Sequence, residues 1–111
     1  MNADSFAGYL HEGEVWLAKQ EYKKAFDAYT EAWQRKQTAD IAKKSYSAAI
    51  HFEPVEKAVN PLLLWLTSHP DDNATRFFLA AAYQNADHNE VAIQEYEKIL
   101  ESTPDSSSLL N

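Results

Sequence analysis

Apolar side chains recur at spacings of three and four along most of this chain, the spacing that lines one face of an α-helix. Phe6, Tyr9, Leu10, Gly13, Trp16 and Leu17 form the first such stripe, on a predicted helix that starts after Asp4 or Ser5 and runs to about Lys19. Both starting residues are good N-caps. A turn at Gln20 and Glu21 leads to a second helix, about Tyr22 to Lys36, whose stripe is Tyr22, Ala25, Phe26, Tyr29, Ala32 and Trp33. A third, about Ala39 to Phe52, turns Ile41, Ala42, Ser45, Ala48, Ala49 and Phe52 inward with less bulk.

The fourth predicted helix opens at Pro54, a residue suited to a first helical turn. It then meets Pro61, which lacks an amide hydrogen and clashes with the carbonyl four residues back, so a kink or break is expected near Asn60. Leu62 to Leu66 continue as a strongly apolar segment ending near His69. Asp71, Asp72 and Asn73 offer caps for a fifth helix whose expected core side is Phe77, Phe78, Leu79, Ala80, Ala81 and Tyr83. A sixth, about Glu90 to Ser102, is expected to bury Val91, Ala92, Ile93, Tyr96, Ile99 and Leu100.

Three of these stretches carry one pattern. Tyr22 to Trp33 and Asn89 to Leu100 are its best copies, and Val55 to Leu66 is a worn one; Ala25, Ala58 and Ala92 fall 33 and then 34 residues apart. Pro70 and Pro104 close the last two copies, again 34 apart. A period of this length implies stacked supersecondary units, none of which buries its apolar face alone. Small residues belong where two helices approach to about 8–10 Å, and Gly13, Ala25, Ala32, Ala58, Ala80 and Ala92 stand at those points.

Composition supports an all-helical domain. The 111 residues contain only two glycines and four prolines, which leaves little material for hairpins, and the 45% of apolar residues suffice for a core. The formal net charge of −7, from 17 acids and 10 bases, argues against nonspecific nucleic-acid binding. The charge is uneven: from Thr67 onward eight acids face only Arg76 and Lys98, which suits a cationic or mixed-charge partner. Arg35, Lys36, Lys43 and Lys44 cluster in the middle and read first as a solvated helix–helix junction, second as an anion site. Cysteine is absent, which excludes disulfides and thiolate chemistry. No apolar run approaches the roughly 18–20 residues of a membrane span, and the first residues lack the pattern of a signal peptide.

These residues resemble the tetratricopeptide repeat, a helix–turn–helix of 34 residues. The third copy matches at Leu79, Ala80, Tyr83, Ala92, Tyr96 and Pro104; the first matches at Gly13, Trp16, Tyr22, Ala25, Tyr29 and Ala32, with Gln37 where proline is expected. The second keeps Ala58 and Pro70 but carries Tyr46 at a usually small position. The resemblance implies a right-handed superhelical solenoid over residues 1–111, with repeats at about 6–38, 39–72 and 73–106 and a stub of a next helix at 107–111. Ser106 to Asn111 would start that helix, so an excised piece of a longer array is expected. The family often places glycine in the turn of each pair, where this chain has Gln20, Glu53 and Asp87. A left-handed backbone there strains Gln20 and Glu53 by about 1 kcal/mol, whereas aspartate tolerates it better. A narrower resemblance, carried by Pro61 to Asp72, Arg76, Leu79 and Ala80, is to arrays in bacterial lipoproteins that accompany exosortase (PEP-CTERM) and exopolysaccharide systems. It implies a periplasmic location; without it the expectation is cytoplasmic.

Catalytic constellations are not legible. His11, His51, His69 and His88 include no pair four residues apart, so no two ligands share a helical face. Glu12 and Glu14 beside His11 read as solvated surface, the pairs Glu95/Glu97 and Asp71/Asp72 are set in no apolar pocket legible from sequence, and Ser106 to Ser108 read as a flexible cap. Trp33 beside Arg35 and Lys36 is the pattern of a base-stacking site, but Trp33 lies on the core stripe and is expected buried. No enzyme activity, cofactor, metal or nucleic acid is therefore expected.

The resemblance leaves the concave face of the array as the functional surface. Carried over residue by residue, it comprises Leu10, Glu14, Leu17 and Ala18, then Lys43, Ser47, Ile50 and His51, then Phe77, Ala81, Gln84 and Asn85. That mixture suits an extended or helical peptide. Chaperone-binding members hold a C-terminal carboxylate with lysine, asparagine and arginine; here Leu10, Glu14, Ala74 and Phe78 stand at those positions, so chaperone tails are not expected ligands. Two functions stay open: a scaffold binding a peptide or protein in the groove, and a spacer of a long array that self-associates through its last helix.

Overall fold

The computed structural model describes residues 2–102, with side chains from Ser5 onward; the expectations for Pro104, Ser106 to Ser108 and the 107–111 stub lie outside these residues. All regular structure among the described residues is helical: α1 (Asn2–Ala18), α2 (Tyr22–Arg35), α3 (Ala39–Ala49), α4 (Val55–Ala58), α5 (Asn60–Ser68), α6 (Asn73–Asn85) and α7 (Asn89–Glu101). The chain divides into two compact units, Met1–Trp65 and Leu66–Asn111, with the boundary inside α5.

Pro61 produces the expected interruption, and it is mild. α4 and α5 meet at Val59, whose backbone stays near helical at φ −80° and ψ −5°. Val59 N–H still donates to the Val55 carbonyl at 3.0 Å, and Leu63 N–H to the Val59 carbonyl at 3.0 Å. Pro54 lies just ahead of α4, as its cap. α1 begins at Asn2, so positions 4 and 5 are inside the helix and not its caps. Thr38 caps α3 by accepting from Ile41 N–H at 3.1 Å, and Asp72 caps α6 by accepting from Thr75 N–H at 3.1 Å.

The turns α1–α2 and α6–α7 are the same motif 67 residues apart. Gln20 and Asp87 are left-handed, at φ 62° and 64°. Glu21 N–H reaches back to the Trp16 carbonyl as His88 N–H does to Tyr83, both at 2.9 Å; Gln20 N–H to Leu17 matches Asp87 N–H to Gln84, at 2.9 and 3.0 Å. This double closure is the Schellman motif, which satisfies the last carbonyls of a helix. Glu53 does not join them. α3 stops at Ala49, three residues short of Phe52, and unwinds through bonds from His51 N–H to Ala48 and from Phe52 and Glu53 N–H to Ala49. Gln20→Gly should therefore stabilise the protein by up to about 1 kcal/mol by relieving left-handed strain. Glu53→Gly should give no such gain. A denaturant melt of each variant decides this; equal effects would show that the left-handed turn at Gln20 carries no strain.

In the first unit α2 packs between α1 and α3. Ala25, Tyr29 and Ala48 form a fully buried cluster, with Leu10, Trp16, Leu17 and Phe26 packed around it. Gly13 is required by close approach: a methyl group there would sit 2.5 Å from Tyr29 Cε1. The open end of this hairpin is tied by Arg35, which donates to Ser5 Oγ at 3.1 Å and lies over the Tyr9 ring. Phe52, expected inside, sits beyond α3 and half in solvent, its ring meeting Phe26 edge-on at 5.8 Å between centroids.

In the second unit α6 and α7 form one hairpin around Thr75, Leu79, Ala80, Ala82, Tyr83 and Ala92. Asn73 and Ser102 exchange hydrogen bonds of 2.9 and 3.2 Å across its open end. Three expectations are corrected here. Phe77 is 57% exposed, not core, and only its edge meets Tyr96. Of the apolar residues on α7, Ala92 alone is buried; Val91, Tyr96 and Ile99 are half-buried, and Ile93 and Leu100 are 54% and 68% exposed. Glu95, for which the sequence shows no pocket, is buried, with Arg76 Nη1 at 2.9 Å and Lys98 Nζ at 3.2 Å. The apolar stripe of α7 is wider than α6 covers, which leaves Ile93 and Leu100 exposed, and α6 presents Arg76 where α7 presents Glu95.

Candidate functional site

Helical spacing alone sorts α3 into two faces. Ile41, Ala42, Ser45, Ala48 and Ala49 are buried, while the candidate groove residues Lys43, Ser47, Ile50 and His51 all reach the surface. On α1, Glu14, Leu10, Leu17 and Ala18 likewise reach the surface, and on α6 Phe77, Ala81, Gln84 and Asn85 do so beside buried Leu79, Ala80 and Ala82. Not one of the predicted residues is buried. Leu10 and Leu17 have a double duty, since both also pack on the Ala25–Tyr29–Ala48 cluster.

Within the first unit a line of polar contacts joins α1 to α3. Lys44 Nζ lies 3.1 Å from Glu14 Oε2 and 4.0 Å from Asp40, and His11 Nδ1 lies 3.4 Å from Glu14 Oε1. The hydrogen bond from Lys44 holds the Glu14 carboxyl below the ordinary carboxylate range, and the same bond raises the lysine. At the far end of α3 the His51 ring stacks on Tyr22 at 3.7 Å, so one of its faces is already occupied. Ser47 Oγ donates to the Lys43 carbonyl at 3.0 Å. Beneath the surface the Tyr29 hydroxyl is buried with no hydrogen-bond partner, and burial raises its pKa.

In the second unit Phe77 stands beside Gln84, which accepts from Tyr96 Oη at 3.0 Å. Phe77 and Gln84 are seven residues apart, two helical turns, and so share one face of α6. That face offers an apolar ring and an amide, with no acid–base pair.

A cleft of about 380 Å³ on the first unit was not legible in the sequence. One wall is α2, with Phe26, Thr30 and Trp33; the other is formed by Ser45, Ala49 and Phe52 with Lys57, Asn60, Pro61 and Leu64. Trp33, expected buried, is half-exposed because it lines this cleft. The signal lay in the stripe of α2, which is broader than α1 and α3 together cover.

Of the middle basic cluster, Arg35 pairs with Glu31 at 2.8 Å, Lys36 lies over Phe6, and Lys44 pairs with Glu14. These are the contacts of a helix junction. No group of three or more metal-ligating side chains occurs among the described residues, and no helix there is long and apolar enough to cross a membrane. No protein-family model, curated protein or solved structure matches this chain.

Proposed function

We propose that this chain is a non-catalytic scaffold of tetratricopeptide type that binds a peptide or protein segment through the outer faces of α1, α3 and α6. The observation that carries this reading is the sorting of those helices. All the groove candidates reach the surface, and on α3 and α6 they alternate with buried Ser45, Ala48 and Ala49 and with buried Leu79, Ala80 and Ala82. The outer faces combine apolar anchors (Ile50, Phe77) with hydrogen-bonding groups (Ser47, Gln84) and a charged pair (Glu14 and Lys44). Each of these faces can hold a segment by its side chains and main chain.

Peptides selected from a random displayed library against the intact protein provide the test. Lys43→Glu and Phe77→Glu, both away from the buried clusters, should each weaken the selected peptides at least tenfold with helicity unchanged. Leu17 is unsuitable because it supports the core. Peptides that bind both variants as they bind the parent would exclude these faces. A second reading, a spacer that assembles through its last helix, is favoured by the exposure of Ile93 and Leu100 on α7.

A further inference from the structure

We propose that copies of this chain join head to tail, the outer face of α7 in one copy seating on the outer face of α1 in the next. This rests on the assembly reading alone and is independent of peptide binding by the groove faces.

The first unit itself contains the template. There α2 is covered on its far side by α3: Ala25 and Tyr29 are closed by Ala48, and Phe26 meets Phe52. The residues of α7 that match α2, 67 positions later, lack that cover. Ala92 and Tyr96 stand for Ala25 and Tyr29, but the counterparts of Phe26 and Trp33 are Ile93 and Leu100, 54% and 68% exposed.

The complementary face is bare on α1. Thirty-three residues before Ala48, which is fully buried, stands Val15, which is 53% exposed. Thirty-three residues before Ala42 and Ala49 stand Tyr9 and Trp16, both half-exposed.

A pair of hollows in the first unit makes the match specific. The wall that faces α2 across the 380 Å³ cleft includes Ser45, Ala49, Lys57, Asn60, Pro61 and Leu64. Subtracting 33 from each gives Glu12, Trp16, Lys24, Asp27, Ala28 and Glu31. All six line a second hollow, of about 310 Å³, between α1 and α2. One hollow has α2 as its opposite wall; the other stands open. The face of α7, with Leu100 in the place of Trp33, has the pattern of the missing wall.

Charge selects this pairing over α7 on α7. The sequence from Leu66 onward carries eight acids and two bases, whereas residues 1–65 carry nine acids and eight bases. Tail-to-tail contact would oppose two strongly acidic units; head-to-tail contact sets one against a unit of nearly balanced charge, whose open hollow carries Glu12, Asp27 and Glu31 beside Lys24. Ile93 is flanked on α7 by Glu90 and Glu97, and its matching position is Lys19, just beyond the end of α1. A contact between two different faces leaves one of each free on a dimer, so growth into larger rings or filaments is expected.

Sedimentation of the intact chain over a concentration series tests this, with circular dichroism confirming that each variant is folded. The parent should show a mean mass that rises with concentration past that of a dimer. Leu100→Glu and Val15→Glu should each remain monomeric at tenfold higher concentration. Mixed in equal amounts, the two variants retain one intact face each and should form a one-to-one dimer that grows no further. A parent that is monomeric throughout, a closed dimer that Val15→Glu leaves intact, or a mixture that stays monomeric would each overturn the proposal.

Discussion

Glu95→Ala should destabilise the second unit by about 3 kcal/mol, the largest effect expected of any single substitution on a charged residue here. Glu95 and Arg76 are nearly enclosed, with side chains 9% and 14% exposed, and the guanidinium Nη1 lies 2.9 Å from the carboxylate. Arg76 also donates to the Pro70 carbonyl across a weak 3.4 Å bond. Removing the carboxylate leaves a guanidinium desolvated without its counter-charge, which costs far more than the net value of the pair. Arg76→Ala should cost less, because Lys98 at 3.2 Å still compensates Glu95. Replacing both at once, as Arg76→Met with Glu95→Leu, should return stability to within about 1 kcal/mol of the parent, since neither charge then has to be desolvated. Urea denaturation followed by circular dichroism, with hydrogen exchange of the α6 amides to localise the loss, gives all three values. A cost below about 1 kcal/mol for Glu95→Ala would mean that water reaches the pair.

Gly13→Ala should cost about 2 kcal/mol, although alanine is ordinarily the better helix former. The added methyl would meet Cε1 and Cδ1 of Tyr29 at 2.5 and 2.6 Å. Tyr29 has no room to withdraw: it is fully buried between Ala25 and Ala48. The corresponding position in the second unit already carries Ala80, and there the counterpart of Tyr29, Tyr96, is only half-buried. The need for glycine thus comes from the depth of one ring and not from the backbone. Gly13→Ala combined with Tyr29→Leu should be less destabilised than the sum of the two single changes, because the shorter side chain leaves space for the methyl. Strict additivity would refute the clash.

Most of the local structure was legible. Periodicity placed every helix, because the hydrogen bonds of a helix and the side chains of one stripe lie within a few residues of each other. The break at Pro61 and the cap at Asp72 follow from single residue types. Phe52 was misplaced because α3 ends before reaching it, and helix ends depend on how the following turn closes. Of the three turns that lack glycine, only those at Gln20 and Asp87 are left-handed, and no residue in the turns themselves announces the difference at Glu53.

The amino-acid order by itself determined where helices run, where they are interrupted just before Pro61, and which side of each is apolar, since these are settled by backbone and side-chain groups a few residues apart. Only the tertiary structure decided which part of each apolar side is covered. Ile93 and Leu100 lie on the same stripe as Ala92, and burial distinguishes them because it requires a neighbouring helix. The same holds for Glu95, whose charge is tolerated inside only because α6 brings Arg76 to it, and for the cleft beside Trp33, which exists only once α2 faces the residues around Pro61.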